Sequence, residues 1–287
     1  MSKVASIQMQ VTSDKKTNLE KAKKLLTAAA QGGTQMAVLP EYFLADCPEK
    51  GMNVEYINSI AETIPGPATD YLADVAKNAG IYIATGSFIV KDNSGKLTNS
   101  GAVITPKGEI LGTYSKTHPE DAALKYEVSL GIQPGDEYPV FDTEIGKVGV
   151  VVDMDATTAE ATRILYVQDA EIVLWPLNYS TRWMHVIDVL PQAHAMMNKL
   201  YFVSANRVGT RKSAFYGNFL YNGGSKICNP EGFDVGRADD YNEGFAIATI
   251  NVDLIREWRN TIIPRDYPFR RRPQTYGALI KPWSVVR

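Results

Sequence analysis

Cysteine and histidine are scarce in this chain of 287 residues: Cys47 and Cys228 are the two cysteines, and His118, His185 and His194 the three histidines. Two cysteines exclude a disulfide scaffold and a cysteine-rich metal cluster. The histidines show neither an HExxH pattern nor zinc-type spacing, so no metal is expected, and no cofactor either. Neither sign of charge is in excess: 30 Lys and Arg against 32 Asp and Glu leave a net charge of −2. Nucleic-acid binding through a basic patch needs clustered positive charge, so no nucleic-acid partner is expected. No apolar run approaches the roughly 18 residues of a spanning helix. Asp14, Lys15 and Lys16 arrive before any apolar stretch long enough for a signal peptide. The expectation is a cytoplasmic protein without a membrane partner.

A hydrophobic content of 45% and a charged content of 22% suit an ordinary globular core. Short apolar runs rich in Val and Ile recur at 4–11, 36–39, 81–84, 101–105, 148–152, 172–175, 201–205 and 245–252, each bounded by Gly, Pro, Asn or Asp. Their length and flanks predict strands, several buried on both faces. Helical periodicity covers 17–31, where Thr17 and Glu20 fit a capping box and Gly32-Gly33 a stop. It returns at 68–79, 157–168 and 182–200, the last with Pro191 as a break or a start. The alternation predicts an α/β protein with a mixed sheet and one domain over 1–287. The tail from about 265 carries Arg265, Arg270, Arg271 and Arg272 among prolines and aromatics, and reads as an arm packed on a partner surface.

Three polar sites follow apolar strands, where a rigid element hands over to a loop. Glu41 ends Met36-Ala37-Val38-Leu39-Pro40; burial would raise its pKa into the range of proton transfer, whereas the plainer reading is a surface carboxylate. Lys116, in Tyr114-Ser115-Lys116-Thr117-His118, is suited to stabilising negative charge on oxygen, or is simply solvated. Asp153 and Asp155 follow Val148–Val152 and precede a helix, the strand–turn–helix setting of many nucleophiles; Asp155 also fits a helix N-cap.

These segments, in this order, resemble the carbon–nitrogen hydrolase (nitrilase) superfamily. Val4-Ala5-Ser6-Ile7-Gln8 is similar to the family's first strand, Ile172-Val173-Leu174-Trp175-Pro176-Leu177-Asn178-Tyr179 to the strand and loop after the nucleophile, and Arg271-Arg272-Pro273 to the C-terminal arm. The resemblance implies a four-layer α-β-β-α sandwich with two mixed sheets. It implies a small-molecule substrate and a homodimer or larger homo-oligomer. It also implies a Glu–Lys–Cys triad of general base, oxyanion stabiliser and nucleophile. Glu41 and Lys116 match the first two, and Glu127 is the candidate for a second glutamate. Tyr42, Asn178, Tyr179 and Trp183 are the candidate substrate-binding residues.

The cysteine does not carry over. After Gly146-Lys147-Val148-Gly149-Val150 the sequence reads Val151-Val152-Asp153-Met154-Asp155, so Asp153 stands where the nucleophile is expected. A carboxylate attacking an amide would give an anhydride, higher in energy than the amide. Three readings remain open: Asp153 as a base or acid for direct attack by water, Asp153 as a nucleophile toward another centre, or an inactive pseudoenzyme that binds a small ligand or partner. The first keeps the broad activity, hydrolysis of a small amide, nitrile or N-carbamoyl compound. Cys228 is expected in the core, and Cys47 is a remote candidate for a displaced nucleophile.

Overall fold

The structure, a computed structural model, describes residues 1–46, 53–119, 127–213, 217–261 and 271–281. Residues 1–251 group into one compact unit and 252–287 into another. In the first unit the chain runs through β1 (Ser2–Gln8), α1 (Lys15–Gln31), β2 (Met36–Val38), α2 (Val54–Ile60), α3 (Pro67–Ala79), β3 (Tyr82–Ala84), β4 (Phe88–Lys91), β5 (Leu97–Ile104) and β6 (Ile110–Ser115). It continues with β7 (Ile132–Gln133), β8 (Val140–Thr143), β9 (Gly146–Val150), α4 (Ala159–Val167), β10 (Ile172–Pro176), α5 (Met184–Asn198) and β11 (Tyr201–Ala205). The hairpin of β12 (Val208–Ser213) and β13 (Gly217–Asn222), then β14 (Lys226–Cys228), β15 (Asp234–Arg237) and β16 (Gly244–Ile250), complete it. The second unit holds α6 (Val252–Thr261) and short turns in which the Arg272 N–H donates to the Tyr276 hydroxyl. Cys47, Arg265 and Arg270 lie outside the described residues.

Among the described residues, one sheet has the order β16-β1-β2-β3-β5-β4, with β6 and β7 also on β5, and the other the order β15-β14-β11-β10-β9-β8. Both are mixed: β1, β2 and β3 run parallel, as do β9, β10 and β11, with antiparallel strands outside them. Alternation along each strand sorts side chains between layers. Ala5 and Ile7 of β1 pack with Ala22 and Leu26 of α1 and Leu72 and Ala76 of α3. Val173 and Trp175 of β10 pack with Leu165 of α4 and Ile187 and Ala195 of α5. The opposite faces meet between the sheets, where Ser6 Oγ donates to the Ser204 carbonyl across the interface at 2.5 Å. This is the four-layer α-β-β-α arrangement.

Local chemistry shifts three element ends. Asp14, and not a Thr17–Glu20 box, caps α1: its carboxylate accepts from the N–H groups of Lys16 and Thr17, and Thr17 Oγ1 donates to it. An ionised acceptor ahead of the first turn is the stronger cap for those free N–H groups. α5 runs unbroken through Pro191, whose ring is buried. The packing of a long apolar face offsets the one backbone hydrogen bond that the proline forgoes. α4 begins at Ala159 because Asp153–Thr157 forms a tight 3-10 turn first.

The Gly146–Val150 run has a packing reason. Gly146 adopts φ +136°, which favours glycine at the β8–β9 turn. A Cβ on Gly149 would lie 2.6 Å from Leu165 Cδ2, so α4 can sit on β9 at this distance only over a glycine. Gly149→Ala is expected to destabilise the fold by about 1–3 kcal/mol through overpacking, read as a lower urea midpoint at unchanged m-value.

Candidate active site

Four segments bring their polar groups to one point. Glu41 follows β2, beyond Pro40, and its N–H donates to the Leu177 carbonyl just after β10, so the loop from one sheet is tied to the strand end of the other. Farther along the same loop, the Asn18 side chain of α1 donates to the Leu44 carbonyl. Lys116 is the residue after β6; its N–H donates to the Asn99 carbonyl of β5, extending the ladder by one step and setting lysine beside asparagine. Asp153 opens the turn after β9 at φ +48°, a left-handed conformation that costs a non-glycine residue about 1–3 kcal/mol. Its carbonyl accepts from the Trp175 indole N–H at 2.9 Å, which helps fix that conformation. The site therefore lies at the carboxyl ends of parallel strands β2 and β9, the usual place for ligand chemistry in α/β sheets.

Lys116 Nζ stands 3.2 Å from Glu41 Oε1, 2.9 Å from Glu127 Oε2 and 2.6 Å from Asp153 Oδ2. The side chains of Glu41 and Glu127 are fully buried, that of Lys116 is 2% exposed and that of Asp153 6%, so Asp153 is the member nearest solvent. The expected convergence of Glu41, Lys116, Asp153 and Glu127 is observed. The surface alternatives for Glu41 and Lys116 fail because both are buried.

Burial and the neighbouring Asp153 carboxylate push the Glu41 carboxyl well above its usual range, against the pull of Lys116. Burial also raises Asp153, with Lys116 opposing. For Lys116, burial alone would lower the pKa, but the carboxylates of Asp153, Glu127 and Glu41 outweigh it and hold the ammonium charged. Three buried carboxylates facing one ammonium do not balance, so a proton is retained among them. Among the described residues no group of three or more His, Cys, Asp and Glu is arranged to hold a metal.

Asn99 is a member that sequence reading missed. Its Nδ2 donates to Glu41 Oε1 at 2.7 Å and to Glu127 Oε1 at 2.9 Å. The available signal was a polar residue on the same face of β5 as the buried Leu97. Asp155 has a different task from the expected N-cap. Its carboxylate accepts from the N–H groups of Val152, Thr117 and His118 and from Thr117 Oγ1, clamping the Lys116 loop to the Asp153 turn.

The four candidate substrate residues separate. The Tyr42 hydroxyl donates to Glu127 Oε1 at 2.5 Å, so this residue braces the cluster. Tyr179 is buried; its hydroxyl donates to Met154 Sδ at 3.4 Å and its ring lies 5.7 Å from Trp183. Trp183 is 43% exposed, and Asn178 is half-buried. Tyr179 and Trp183 thus form an aromatic strip beside Met154, the neighbour of Asp153. Cys228 is buried in β14, as expected, and burial raises its thiol pKa.

Comparison with known proteins is consistent across methods of likeness. An omega-amidase from Xenopus laevis is 33% identical over 276 residues, 94% of each chain. A nitrilase from Pyrococcus abyssi is 33% identical over 270 residues, 90% of this chain and 93% of its own. The crystal structure of a carbon–nitrogen hydrolase from Helicobacter pylori G27 shares the fold with a TM-score of 0.84 at 24% identity, covering 99% of each chain. An amidase from Nesterenkonia sp. matches with a TM-score of 0.76 at 20% identity over 97% of this chain and 96% of its own, and acrylamide adds to the active-site cysteine of a mutant of that amidase. The sequence model of the carbon–nitrogen hydrolases matches residues 3–260, and the chain belongs to that family.

Proposed function

We propose that the protein hydrolyses a carbon–nitrogen bond in a small amide, nitrile or N-carbamoyl compound, with Asp153 in place of the family's cysteine and water as the attacking group. The observation that carries this reading is the meeting of Glu41, Glu127 and Asp153 on the buried ammonium of Lys116. One retained proton among carboxyls of raised pKa supplies an acid beside a base. Asp153 is the member nearest solvent, suited to take a proton from water, while Glu41 is suited to return one to the leaving nitrogen. Tyr179, Asn178 and Trp183 are assigned to the substrate's approach, and Tyr42 and Glu127 to holding the charges in place. Residues 1–287 act as one functional domain, with about 265–287 as an arm in a homodimer or larger assembly. Light scattering at the 31.6 kDa monomer mass would remove the assembly from this proposal.

One observation favours a second reading, the inactive pseudoenzyme. An ammonium has three N–H donors, and Lys116 has three carboxylate oxygens within 3.2 Å. An amide-derived oxyanion would have to compete with these carboxylates for the ammonium, Asp153 at 2.6 Å foremost.

Substitutions at one position separate the readings. Asp153→Asn is expected to lower ammonia release from the best of a panel of amides, nitriles and N-carbamoyl compounds by about 10²–10⁴-fold, the usual worth of a general base. Asp153→Cys is expected to accumulate a covalent acyl-enzyme, seen by intact-protein mass spectrometry, whereas the parent shows none. A substrate-derived adduct on parent Asp153 would refute attack by water. A parent that turns over nothing and binds a small ligand tightly would establish the pseudoenzyme.

The pH dependence of stability has a definite sign. The folded-state pKa of Glu41 lies well above 4.5, so its protonated form stabilises the fold at low pH. That contribution is lost as pH rises through the folded value, because the native state binds more protons than the unfolded one. The Lys116 pKa is raised from an already alkaline value, so its loss of charge falls outside the neutral window. Glu41→Gln removes the carboxyl contribution. Urea denaturation at pH 5 and pH 8 is expected to show the variant gaining on the parent as pH rises; a gap independent of pH would contradict the shift.

A further inference from the structure

Hydrogen-bond valence at the cluster identifies the charge of the group it receives. Lys116 donates to Glu41 and Asp153 and is ion-paired with Glu127 Oε2 at 2.9 Å, so carboxylates enclose its ammonium. Asn99 gives its Nδ2 to both glutamates, and the Tyr42 hydroxyl goes to Glu127. Three oxygens are left over: Glu41 Oε2, Asp153 Oδ1 and Asn99 Oδ1 are buried and have no hydrogen-bond partner among the described residues, and the one retained proton can occupy only one of them. An unmet buried acceptor has lost its water without compensation, and a charged one most of all. Negative charge also exceeds positive at this point. A ligand that brings N–H donors and positive charge meets both deficits, while a carboxylate or any other anion meets neither. A bare metal ion would have to displace Lys116 from among its partners.

We propose that the group hydrolysed here is an amidinium or guanidinium, a planar cation whose parallel N–H groups match carboxylate oxygens in pairs. The inference rests on the reading of this cluster as the reacting site and narrows its substrate class. It also accounts for the enclosed lysine. Water attacks the amidinium carbon and its proton passes to Asp153. A C–O bond forms, and the C–N π pair returns to nitrogen. The resulting adduct is neutral, so no oxyanion develops and Lys116 needs no free N–H. Glu41 then gives its retained proton to one amino nitrogen while Asp153 keeps the proton from water, and the C–N bond breaks with its electron pair on that nitrogen. Loss of the hydroxyl proton to the departing ammonia completes the reaction: one amidinium and one water yield one amide and one ammonium. Asp153, the cluster member nearest solvent, next to Met154 and the strip of Tyr179 and Trp183, marks the side of approach.

Acetamidinium, acetamide and acetate are close in shape and differ in charge, so they isolate this property. Isothermal titration calorimetry on the intact protein at fixed ionic strength is expected to show acetamidinium binding at least about tenfold more tightly than acetamide, with no heat from acetate. Asp153→Asn and Glu41→Gln, each checked by circular dichroism for a native spectrum, are expected to lose that preference. Equal affinities, or a preference for acetate, would overturn the inference. Ammonia release is followed in parallel from acetamidinium and from the amide panel. Turnover of amides without amidinium preference keeps the hydrolase reading and removes this one. Amidinium preference with no turnover of any compound keeps the charge selectivity and removes the hydrolase.

Discussion

A charged ammonium buried at 2% exposure can exist only if acids come to it, and Lys116 imposes that condition on several parts of the chain. Glu41 arrives from the end of β2 and Asp153 from the end of β9, in different sheets. The ion pair between Lys116 and Asp153 is therefore also a contact between the sheets. It does not stand alone. The Glu41 N–H on the Leu177 carbonyl and the Asp155 carboxylate on the Thr117 and His118 N–H groups cross the same boundary. Packing of the two sheets and assembly of the cluster are one event: the apolar faces bring the acids within reach, and the acids make the buried lysine tolerable.

Backbone strain is present at the same place. Two of the five non-glycine residues with positive φ among the described residues, Tyr42 and Asp153, both near +50°, sit next to or within the cluster. Aspartate tolerates that region better than tyrosine does, and in both cases neighbouring contacts hold it. For Tyr42 the hold is its hydroxyl on Glu127, and for Asp153 it is the Trp175 indole on its carbonyl together with Lys116 on its carboxylate. Unpartnered acceptors, like charges and left-handed backbone are all unfavourable, and a fold assembled for stability alone would avoid them together. Their coincidence is the physical argument that the cluster serves a ligand.

Much of this was legible in the sequence because it is written in strand ends. Short Val- and Ile-rich runs placed β1, β2, β3, β9, β10, β11 and β16 within a few residues, and the polar residue following β2, β6 and β9 named Glu41, Lys116 and Asp153. The edge strands β4, β7, β8 and β15 were not read, since they are two to four residues long and carry no sustained alternation. Asn99 escaped for a related reason: it lies inside a strand, and its role depends on which residue the next strand sets opposite. Asp155 and Tyr42 were named but given other tasks. A carboxylate one turn from a helix fits a cap, and an aromatic beside a candidate base fits a pocket wall. Only the tertiary partners, Thr117 and His118 for one and Glu127 for the other, decide otherwise.

On the proposed reading, Asp153 in the place of the family's cysteine changes more than the reactivity of one side chain. A thiol there would be a weak, small hydrogen-bonding partner, leaving one lysine N–H for an oxygen that becomes negative during reaction. The Asp153 carboxylate takes that N–H at 2.6 Å and adds an acceptor of its own. On that reading the cluster offers acceptors where a thiol would leave a donor, and its surplus of negative charge is larger. A site so altered is poorly matched to reactions that build anionic oxygen. It is better matched to those that begin from a cation and pass through a neutral adduct. On the proposed reading, charge therefore constrains the chemistry of this pocket more tightly than the absence of a thiol does.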